Sequence, residues 1–441
     1  MDITIKDIIG VGIGPFNLGL AALTSHHCEL DAEFIECKKE FSWHSGMLLP
    51  GATLQVPFLA DLVTMADPTH PLSYLNYLKH HDRLYQFYYY ETFLVPRSEY
   101  NHYCQWAAGQ LQNCIYGETV VNVRYLEQKE CFVIDSQSHD GEQITRYSRD
   151  LSVGVGTVPW LPEWATKANH SLVQHSAEFA HLREQLNKCQ SVTVVGSGQS
   201  AAECVLNLYR DLTEQQINAG ARVNWITRSA GFHPMEASKL GQECFTPAYM
   251  EYFHSLPREK RRDIVSGQGL LYKGISGYTI ADIFDLLYER SIGGREAGLN
   301  LYSNSQVNEI ITTDNGKSFE VLCFQSQQER EFSFSTNAVI CATGYVHQWP
   351  SWLEALKGSV LATDDYGDCI VEQDFIAQRC DQGSGRIFIQ NAEIFQHGVG
   401  GPDLGMGAYR NASIINQLLG REAYRLPAKS AFQNYGAPSL K

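Results

Sequence analysis

Two glycine pairs in this sequence have the spacing of nucleotide-binding turns. Gly12 and Gly14 lie between two short apolar runs, which predicts a strand, a tight turn and a helix that extends to about residue 23. Glycine lets the backbone approach a pyrophosphate, whose charge lies on the free N–H groups of the helix N-terminus. Pro15 begins this helix, and Asn17 stands where a third glycine is usual. A second predicted strand ends at Glu36, 24 residues after Gly12, where a carboxylate can accept hydrogen bonds from a ribose; the alternative is a surface acid.

The second glycine pair predicts a second dinucleotide site. Gly196, Gly198 and Ala201 follow an apolar run from residue 191 and have the G-x-G-x-x-A spacing. The next predicted strand ends in Arg228 and not in an acid. A guanidinium at this position suits the 2′-phosphate of NADP, because it can pair with it in a bidentate manner. Arg228 therefore favours NADP over NAD, and the alternative is a solvated arginine at a strand end.

The remaining patterns predict an α/β protein built around these turns. Helical spacing covers residues 100–111, Asp140 and Gly141 predict a hairpin turn, and residues 247–292 have a charged helical pattern. A strand pair near residues 319–334 leads to a buried strand over 338–345. We therefore expect two Rossmann-like dinucleotide-binding domains and a small helical region.

Composition excludes several classes of protein and site. The 441 residues carry a net charge of -15, which argues against binding to nucleic acid or to an anionic membrane surface. No run approaches the roughly 18 apolar residues of a membrane span, and the N-terminus lacks the pattern of a signal peptide, so we expect a cytoplasmic protein. The twelve cysteines include no C-x-x-C pair, which indicates reduced thiols and no metal site.

Further motifs are distributed over nearly the whole chain. They are Phe41-Ser-Trp-His-Ser-Gly-Met47, Gln55, Phe58-Leu-Ala-Asp-Leu62, Pro68-Thr69, Gly196-Ser-Gly-Gln-Ser200, Phe245-Thr-Pro247, Ala342-Thr-Gly-Tyr345 and His397-Gly398. Together with the first glycine turn they resemble the siderophore N-hydroxylating monooxygenases. These flavoproteins hydroxylate the side-chain amine of lysine or ornithine, or one amine of a diamine. Each motif alone is weak, but their combination is specific.

The resemblance implies FAD that is reduced by NADPH, reaction with O2 to a C4a-hydroperoxyflavin, and attack of a neutral amine on the distal oxygen. The flavin performs the difficult chemistry, so no catalytic triad is required. Trp43 and Gln55 match positions beside the flavin ring and are the candidate catalytic residues. Trp43 can equally be core packing, and His44 is either a proton shuttle or a packed histidine.

The resemblance also divides the chain into domains. It implies an FAD-binding domain of residues 1–165 and 341–441 and an NADP-binding domain of residues 188–235 and 299–340. Residues 236–298 form the helical substrate-binding region. Gln199 and Ser200 of the second turn, with Thr343, Gly344 and Tyr345, are assigned to cofactor binding. We also expect a homo-oligomer.

Ala60 is the most informative departure from the family pattern. Amino-acid hydroxylases carry a lysine at this position, where it pairs with the substrate's α-carboxylate. Two asparagines that line the amino-acid head are replaced by Gln242 and Gly277. Because alanine cannot bind a carboxylate, cadaverine or putrescine fits better than lysine or ornithine. The alternative is that another basic residue supplies the charge.

A diamine has a second ammonium, which requires an acid. Asp403, before Leu404, and Glu243, beside Gln242, are the candidates, although Asp403 can equally be a helix cap. The rival functions are lysine or ornithine N-hydroxylation, and another flavin monooxygenase reaction such as Baeyer–Villiger or sulfur oxidation. A dinucleotide-binding sensor without turnover is a rival from a different class.

Overall fold

The computed structural model describes residues 4–392 and 394–438. The strands are β1 Ile5–Val11, β2 Ala32–Glu36, β3 Cys114–Tyr116, β4 Glu118–Leu126, β5 Cys131–Ser138, β6 Gln143–Val153, β7 Val158–Pro159, β8 Val173–His175, β9 Ser191–Val195, β10 Arg222–Ile226, β11 Leu299–Tyr302, β12 Ser305–Thr313, β13 Ser318–Gln325, β14 Arg330–Thr336, β15 Ala338–Cys341, β16 Tyr345–Val346 and β17 Ile387–Ile389.

The helices alternate with these strands along much of the chain. They are α1 Pro15–Thr24, α2 Tyr74–His80, α3 Leu84–Tyr90, α4 Arg97–Ala108, α5 Glu163–Ala168, α6 Phe179–Leu186, α7 Gln199–Asp211, α8 Glu214–Asn218, α9 Pro247–Ser255, α10 Arg258–Gly267, α11 Gly269–Tyr272, α12 Gly277–Arg290, α13 Ser351–Glu354, α14 Ile394–His397 and α15 Gly407–Leu419. Within the described part of the chain, none of them is long and apolar enough to cross a bilayer.

The first sheet has the order β3-β2-β1-β6-β5-β4, and β17 also pairs with β6. The β3, β2, β1, β6 and β17 pairings are parallel, whereas β4, β5 and β6 run antiparallel. Gly141 has φ +88° in the turn between β5 and β6, which confirms the predicted hairpin. Because β17 comes from the C-terminal part, both ends of the chain build this unit.

The second sheet is parallel throughout, with the order β11-β10-β9-β15-β8. The centre of β9 is a run of Val192, Thr193 and Val194, all buried, as expected for a strand covered on both faces. Its edge strand β8 lies before residue 188, so this unit begins earlier than the sequence analysis predicted. Strands β12, β13 and β14 form a separate antiparallel sheet. The expected α/β fold with two Rossmann-like units is confirmed.

The helices α9 to α12 lie in the chain between β10 and β11. Tyr249, Phe253 and Val265 form a small core of their own, and α9 and α10 pack against α14 near the C-terminal end. This packing brings the helical region against the segment that follows β17.

Candidate functional site

The first glycine turn and Glu36 meet at the ends of β1 and β2. Gly12 has φ +85°, and a Cβ atom there would lie 2.6 Å from the carbonyl oxygen of Gly154, so only glycine fits. Gly14 is the N-cap of α1, and a Cβ there would meet nothing within 4 Å, so the turn is open on this side. The N–H of Ile13 donates to Oε2 of Glu36 at 2.7 Å. An open helix N-terminus beside a carboxylate suits a pyrophosphate and its ribose.

Asn17 lies behind this turn and not on its open side. The side chain is completely buried, its Nδ2 donates to the carbonyl of Gly12 at 2.8 Å, and its Oδ1 accepts from Ser152 at 2.7 Å and from Gln390 at 3.1 Å. Pro15 is likewise buried as the first residue of α1. The sequence assigns Pro15 and Asn17 to the FAD turn, and their buried side chains fix the shape of this turn from behind.

The segment that contains Trp43 and His44 faces the segment around Tyr345. The His44 ring centroid lies 4.6 Å from that of Trp43 and 5.7 Å from that of Tyr345. Desolvation, with a smaller effect of the Arg97 charge, lowers the pKa of His44 to about 4. His44 is nevertheless exposed to solvent, which screens much of this effect. A pKa below 6.5 leaves the imidazole neutral at pH 7, so it is a weak base there. Gln55 is partly buried, and its Nε2 makes a long 3.4 Å contact with the carbonyl of Thr53.

The second glycine turn opens into a cavity of about 1120 Å³. Gly196 has φ +143°, and a Cβ there would lie 2.2 Å from the carbonyl oxygen of Ala342. The lining includes both glycines and the other predicted residues of this site: Gln199, Ser200, Arg228, Thr343, Gly344 and Tyr345. This volume slightly exceeds the roughly 1,000 Å³ that bounds most small-molecule sites, which suits a long ligand such as a dinucleotide. The structure thus brings this predicted set together.

Two lining residues of this cavity escaped the sequence analysis. Lys273 and His233 face the same space as Arg228. Lys273 lies just after α11, in a stretch whose only sequence signal was a charged helical pattern. A second cation on the wall of the same cavity strengthens the attraction for a phosphate.

Ala60 and Asp403 lie against the same backbone position. A Cβ atom built on Gly405 would lie 2.8 Å from Oδ1 of Asp403 and 3.9 Å from Cβ of Ala60. Asp403 caps the turn Leu404–Met406, since its Oδ1 accepts the N–H of Gly405 at 2.8 Å. Ala60 is buried, and Leu404 is partly buried. The cap reading of Asp403 is correct, and among residues 4–392 and 394–438 no hydrogen bond to its Oδ2 is found.

The electrostatics of Asp403 are unusual for a capping carboxylate. Desolvation raises its pKa from 3.8 to about 6, although the hydrogen bond from Gly405 and the charge of Arg410 act in the opposite direction. Arg410 is itself buried, stacks against Phe16 and Phe375, and donates to the carbonyl of Gly401. A cationic group that reached Asp403 would stabilise its ionised form.

Asp61, next to Ala60, holds this part of the site in place. Its buried carboxylate accepts the backbone N–H groups of Val63, Thr64 and Tyr74 at 3.0, 2.7 and 2.7 Å. Desolvation nevertheless raises the pKa of Asp61. The aspartate was visible in the sequence only as one letter of a motif, and its partners explain why the loop carrying Ala60 is rigid.

The other predicted substrate residues are placed differently. The carboxylate of Glu243 accepts the N–H groups of Phe432 and Gln433 at 2.9 and 3.0 Å, so it fastens the C-terminal segment and is not available to a substrate. Gln242 is exposed, in a turn that packs against residues 398–400, and Gly277 is exposed at the start of α12. No hydrogen bond recorded for residues 4–392 and 394–438 joins either of them to Asp403. This geometry does not support the assignment of Glu243 to the substrate.

Metal chemistry finds no support in the described ranges. Within them, no group of three or more His, Cys, Asp or Glu side chains is arranged to hold a metal ion. The structure does assemble two glycine turns and the partly buried carboxylate of Asp403.

Known proteins are similar to this chain in sequence, and a solved structure is similar to it in architecture. The rhizobactin siderophore biosynthesis protein RhbE of Rhizobium meliloti (strain 1021) is 55% identical over 98% of this chain and 95% of its own. The putrescine N-hydroxylase of Shewanella oneidensis is 40% identical over 99% of this chain and 85% of its own. The crystal structure of DfoA bound to FAD, the cadaverine monooxygenase of the desferrioxamine pathway from Erwinia amylovora, superposes with a TM-score of 0.92 at 39% identity, covering 99% of this chain and all of that one.

The match to a protein family covers most of the chain. Residues 4–347 match the family described as L-lysine 6-monooxygenase/L-ornithine 5-monooxygenase. This range includes both glycine turns, the Ala60 segment and the helical region. The resemblance drawn from the motifs is confirmed, and the chain belongs to the L-lysine 6-monooxygenase/L-ornithine 5-monooxygenase family.

Proposed function

We propose that this protein is an FAD- and NADPH-dependent monooxygenase that hydroxylates one amine of a diamine, cadaverine or putrescine, in hydroxamate siderophore biosynthesis. Two of the relatives carry names that specify these diamines, and a third is named for siderophore biosynthesis. The substrate is the part of the proposal that depends on this chain's own residues.

One observation carries the choice of substrate, namely that Ala60 and Asp403 both lie close to Gly405. Where amino-acid hydroxylases have a cation, this chain has a buried methyl group, and a carboxylate lies against the same backbone position. A diamine brings an ammonium that this carboxylate can pair with. An amino acid would bring a carboxylate that meets Asp403 and is repelled by it, and burial of such an unpaired charge is costly.

FAD fits the first unit, residues 1–165 and 341–441. The open N-terminus of α1 and the turn at Gly12 and Gly14 would hold the pyrophosphate, and Glu36 would hold the ribose. Trp43 and Gln55 are the residues that we assign to the surroundings of the flavin ring. Bound FAD, once reduced, supplies the activation of O2 for transfer of one oxygen atom.

NADPH fits the second unit, which extends from β8 to β15 apart from the inserted helical region. Gly196, Gly198 and Ser200 would hold its pyrophosphate, and Arg228 would pair with its 2′-phosphate, with Lys273 lining the same cavity. Tyr345 lies on this cavity and contacts His44, so the cavity adjoins the first unit.

The amine must lose its proton before it can attack. A free primary amine has a pKa near 10.4, and His44, with a pKa of about 4, is too weak a base to take this proton. The proton therefore goes to solvent. The chain contributes by positioning the neutral amine and by excluding water.

A substrate panel tests this proposal directly. Cadaverine, putrescine, lysine and ornithine are compared by hydroxylamine formation as well as by NADPH consumption, because peroxide release mimics turnover. We expect at least about 10²-fold higher kcat/KM for the better diamine than for either amino acid, which corresponds to roughly 2.7 kcal/mol. Equal efficiency with lysine or ornithine would overturn the substrate assignment.

A pair of matched variants isolates the charge at residue 60. Ala60→Lys introduces a cation that repels the distal ammonium, whereas Ala60→Met introduces a side chain of similar length without charge. We expect Ala60→Lys to reduce the ratio of kcat/KM for the diamine to kcat/KM for the amino acid substantially more than Ala60→Met does. Equal effects of both variants would mean that size, and not charge, sets the preference.

We further propose that the enzyme works in the cytoplasm as a homo-oligomer. All twelve cysteines are free thiols, as in proteins of reducing compartments. Helices α3 and α12 expose several large aromatic side chains, which is typical of surfaces that another chain covers: Tyr85, Tyr88, Tyr89, Phe284 and Tyr288. Light scattering on the eluted holoenzyme tests the oligomer, and a monomer at micromolar concentration would contradict it.

A further inference from the structure

A chain of partly buried hydrogen bonds connects the first unit, the second unit and the helical region. Arg97, the first residue of α4, donates from Nη1 to Oε2 of Glu203 and from Nη2 to Oε1 of Glu203, both at 2.8 Å. Its Nη1 also donates to the carbonyl of Met47 at 2.8 Å. Glu203 belongs to α7, the helix that starts at the second glycine turn. One ion pair thus joins the loop that carries Trp43 and His44 to the helix of the NADP turn.

Gln199 extends this connection to the helical region. Its Oε1 accepts the N–H of Ser276 at 2.8 Å, and its Nε2 donates to Oε1 of Glu203 at 3.0 Å and to Oγ1 of Thr279 at 3.1 Å. Ser276 is the N-cap of α12. Both ends of the amide are therefore used inside the protein. This corrects the sequence-based assignment of the Gln199 side chain to NADP, although the residue lines the cavity.

The burial and geometry of this set make it rigid. The Arg97 and Glu203 side chains are 12% and 4% exposed, and their two parallel hydrogen bonds restrict both position and orientation. Loss of one charge would leave the other buried without a partner, so the helices would be expected to separate and admit water. The Arg97 charge also acts on His44 and on Tyr345, the two side chains that meet between the units.

We propose that Arg97, Glu203 and Gln199 are positioning residues. They hold the NADP turn and the start of α12 against the loop that carries Trp43, His44 and Met47, which we call the flavin-side loop. This inference rests on the proposed function, because it concerns how efficiently NADPH oxidation is coupled to hydroxylation. The coupled reaction converts NADPH, O2, the amine and a proton into NADP⁺, the hydroxylamine and water. When the site is loosened, NADPH, O2 and a proton yield NADP⁺ and hydrogen peroxide instead. The three residues set the ratio of these outcomes and not the affinity for NADPH.

Glu203→Gln tests the proposal with little change in shape. In the holoenzyme with saturating diamine, we expect the fraction of NADPH that ends as peroxide to rise at least threefold, while KM for NADPH changes less than about threefold. The control is Asp211→Asn, at the other end of α7, which breaks a bidentate pair with Arg183 at 2.9 Å; within the described residues, the hydrogen bonds to the Asp211 carboxylate come from Arg183 and Asn187 and not from the loop of Trp43 and His44. This control should keep the parental coupling even if its melting temperature falls.

Two further measurements keep the test decisive. Gln199→Leu removes only neutral hydrogen bonds, so it tests the same connection if Glu203→Gln fails to fold or to retain FAD, and it should also increase peroxide release. Small-angle scattering of the FAD-loaded variants, read without turnover, should show a larger radius of gyration than the parent and the Asp211→Asn control.

Specific outcomes would overturn the proposal. One is that both Glu203→Gln and Gln199→Leu keep the parental fraction of NADPH that ends as peroxide and the parental radius of gyration. Another is that the variants raise KM for NADPH while the fraction of NADPH that ends as peroxide stays unchanged. If no amine is hydroxylated by the parent, the proposed function fails, and the scattering comparison still decides whether these residues hold the units together.

Discussion

Replacement of Asp403 by asparagine should stabilise the substrate-free enzyme and impair its use of diamines. The carboxyl has a pKa of about 6 in the folded protein against an ordinary value of 3.8. Because the folded pKa is the higher one, the folded state binds more protons between pH 4 and 6, and stability falls as pH rises through this window. At 1.36 kcal/mol per pH unit, ionised Asp403 destabilises the fold by at most about 3 kcal/mol at pH 7. Asparagine is neutral and still caps the turn at Gly405.

The assay compares denaturation of parent and Asp403→Asn from pH 4 to pH 7. We expect the two proteins to be similar near pH 4 and the variant to be more stable by up to about 3 kcal/mol at pH 7. In turnover, loss of a charge-assisted contact to the distal ammonium should lower kcat/KM for the diamine about 10²-fold, or roughly 2.7 kcal/mol. The combination of higher stability and lower activity is typical of a functional residue held in an unfavourable environment.

Asp67→Asn is the control with the opposite sign. Although desolvation opposes it, hydrogen bonds from Thr69 lower the pKa of Asp67, so its contribution to stability is present above the unfolded pKa and is lost as pH falls. Asp67→Asn should therefore be less stable than the parent at neutral pH. If Asp403→Asn were also less stable at pH 7, or if its stability difference did not change with pH, the reasoning about the buried carboxylate would be refuted.

Three further predictions concern the cofactor and the amine. Arg228→Ala should raise KM for NADPH far more than for NADH, because about 1.5–3 kcal/mol of charge-assisted bonding to the 2′-phosphate is lost, and equal effects on both cofactors would remove Arg228 from this role. With the chemical step limiting, kcat/KM for the amine should climb from pH 7 to pH 9, since only the neutral form of a group with a pKa near 10.4 attacks; a flat profile would contradict this. Gly196→Ala should weaken NADP⁺ binding in a direct titration, because its Cβ would lie 2.2 Å from the carbonyl of Ala342 at a φ of +143°, and parental affinity would show that the turn tolerates a side chain.

Local features of the site could be predicted from the sequence because their causes are local. A glycine at a turn with positive φ has no substitute, so Gly12 and Gly196 marked both nucleotide turns without any knowledge of the rest of the fold. The hairpin at Asp140 and Gly141 followed from turn chemistry in the same way. Ala60 was informative because the absence of the family's lysine at this position can be recognised from the sequence alone, without knowledge of the structure.

Partners that are distant along the chain were decided only by tertiary packing. Asn17 stands at a cofactor position in the motif, yet its amide is taken by Ser152 and by Gln390, which is 373 residues away. From its position in the sequence, Glu243 was a candidate partner for the substrate ammonium. In the fold, its carboxylate accepts hydrogen bonds from the backbone N–H groups of residues 432 and 433. Polar groups that become buried must find partners, and local periodicity does not specify which distant group arrives.

The same distinction separates the composition of the site from its arrangement. The sequence determined that two dinucleotide turns, a base for NADP and an alanine in place of a lysine are present. Only the fold brought Asp403 beside Ala60 through Gly405, and only the fold joined Arg97 to Glu203 and Gln199. Residue types and short spacings record what each segment can do, whereas the approach of segments separated by hundreds of residues depends on how the sheets and helices pack.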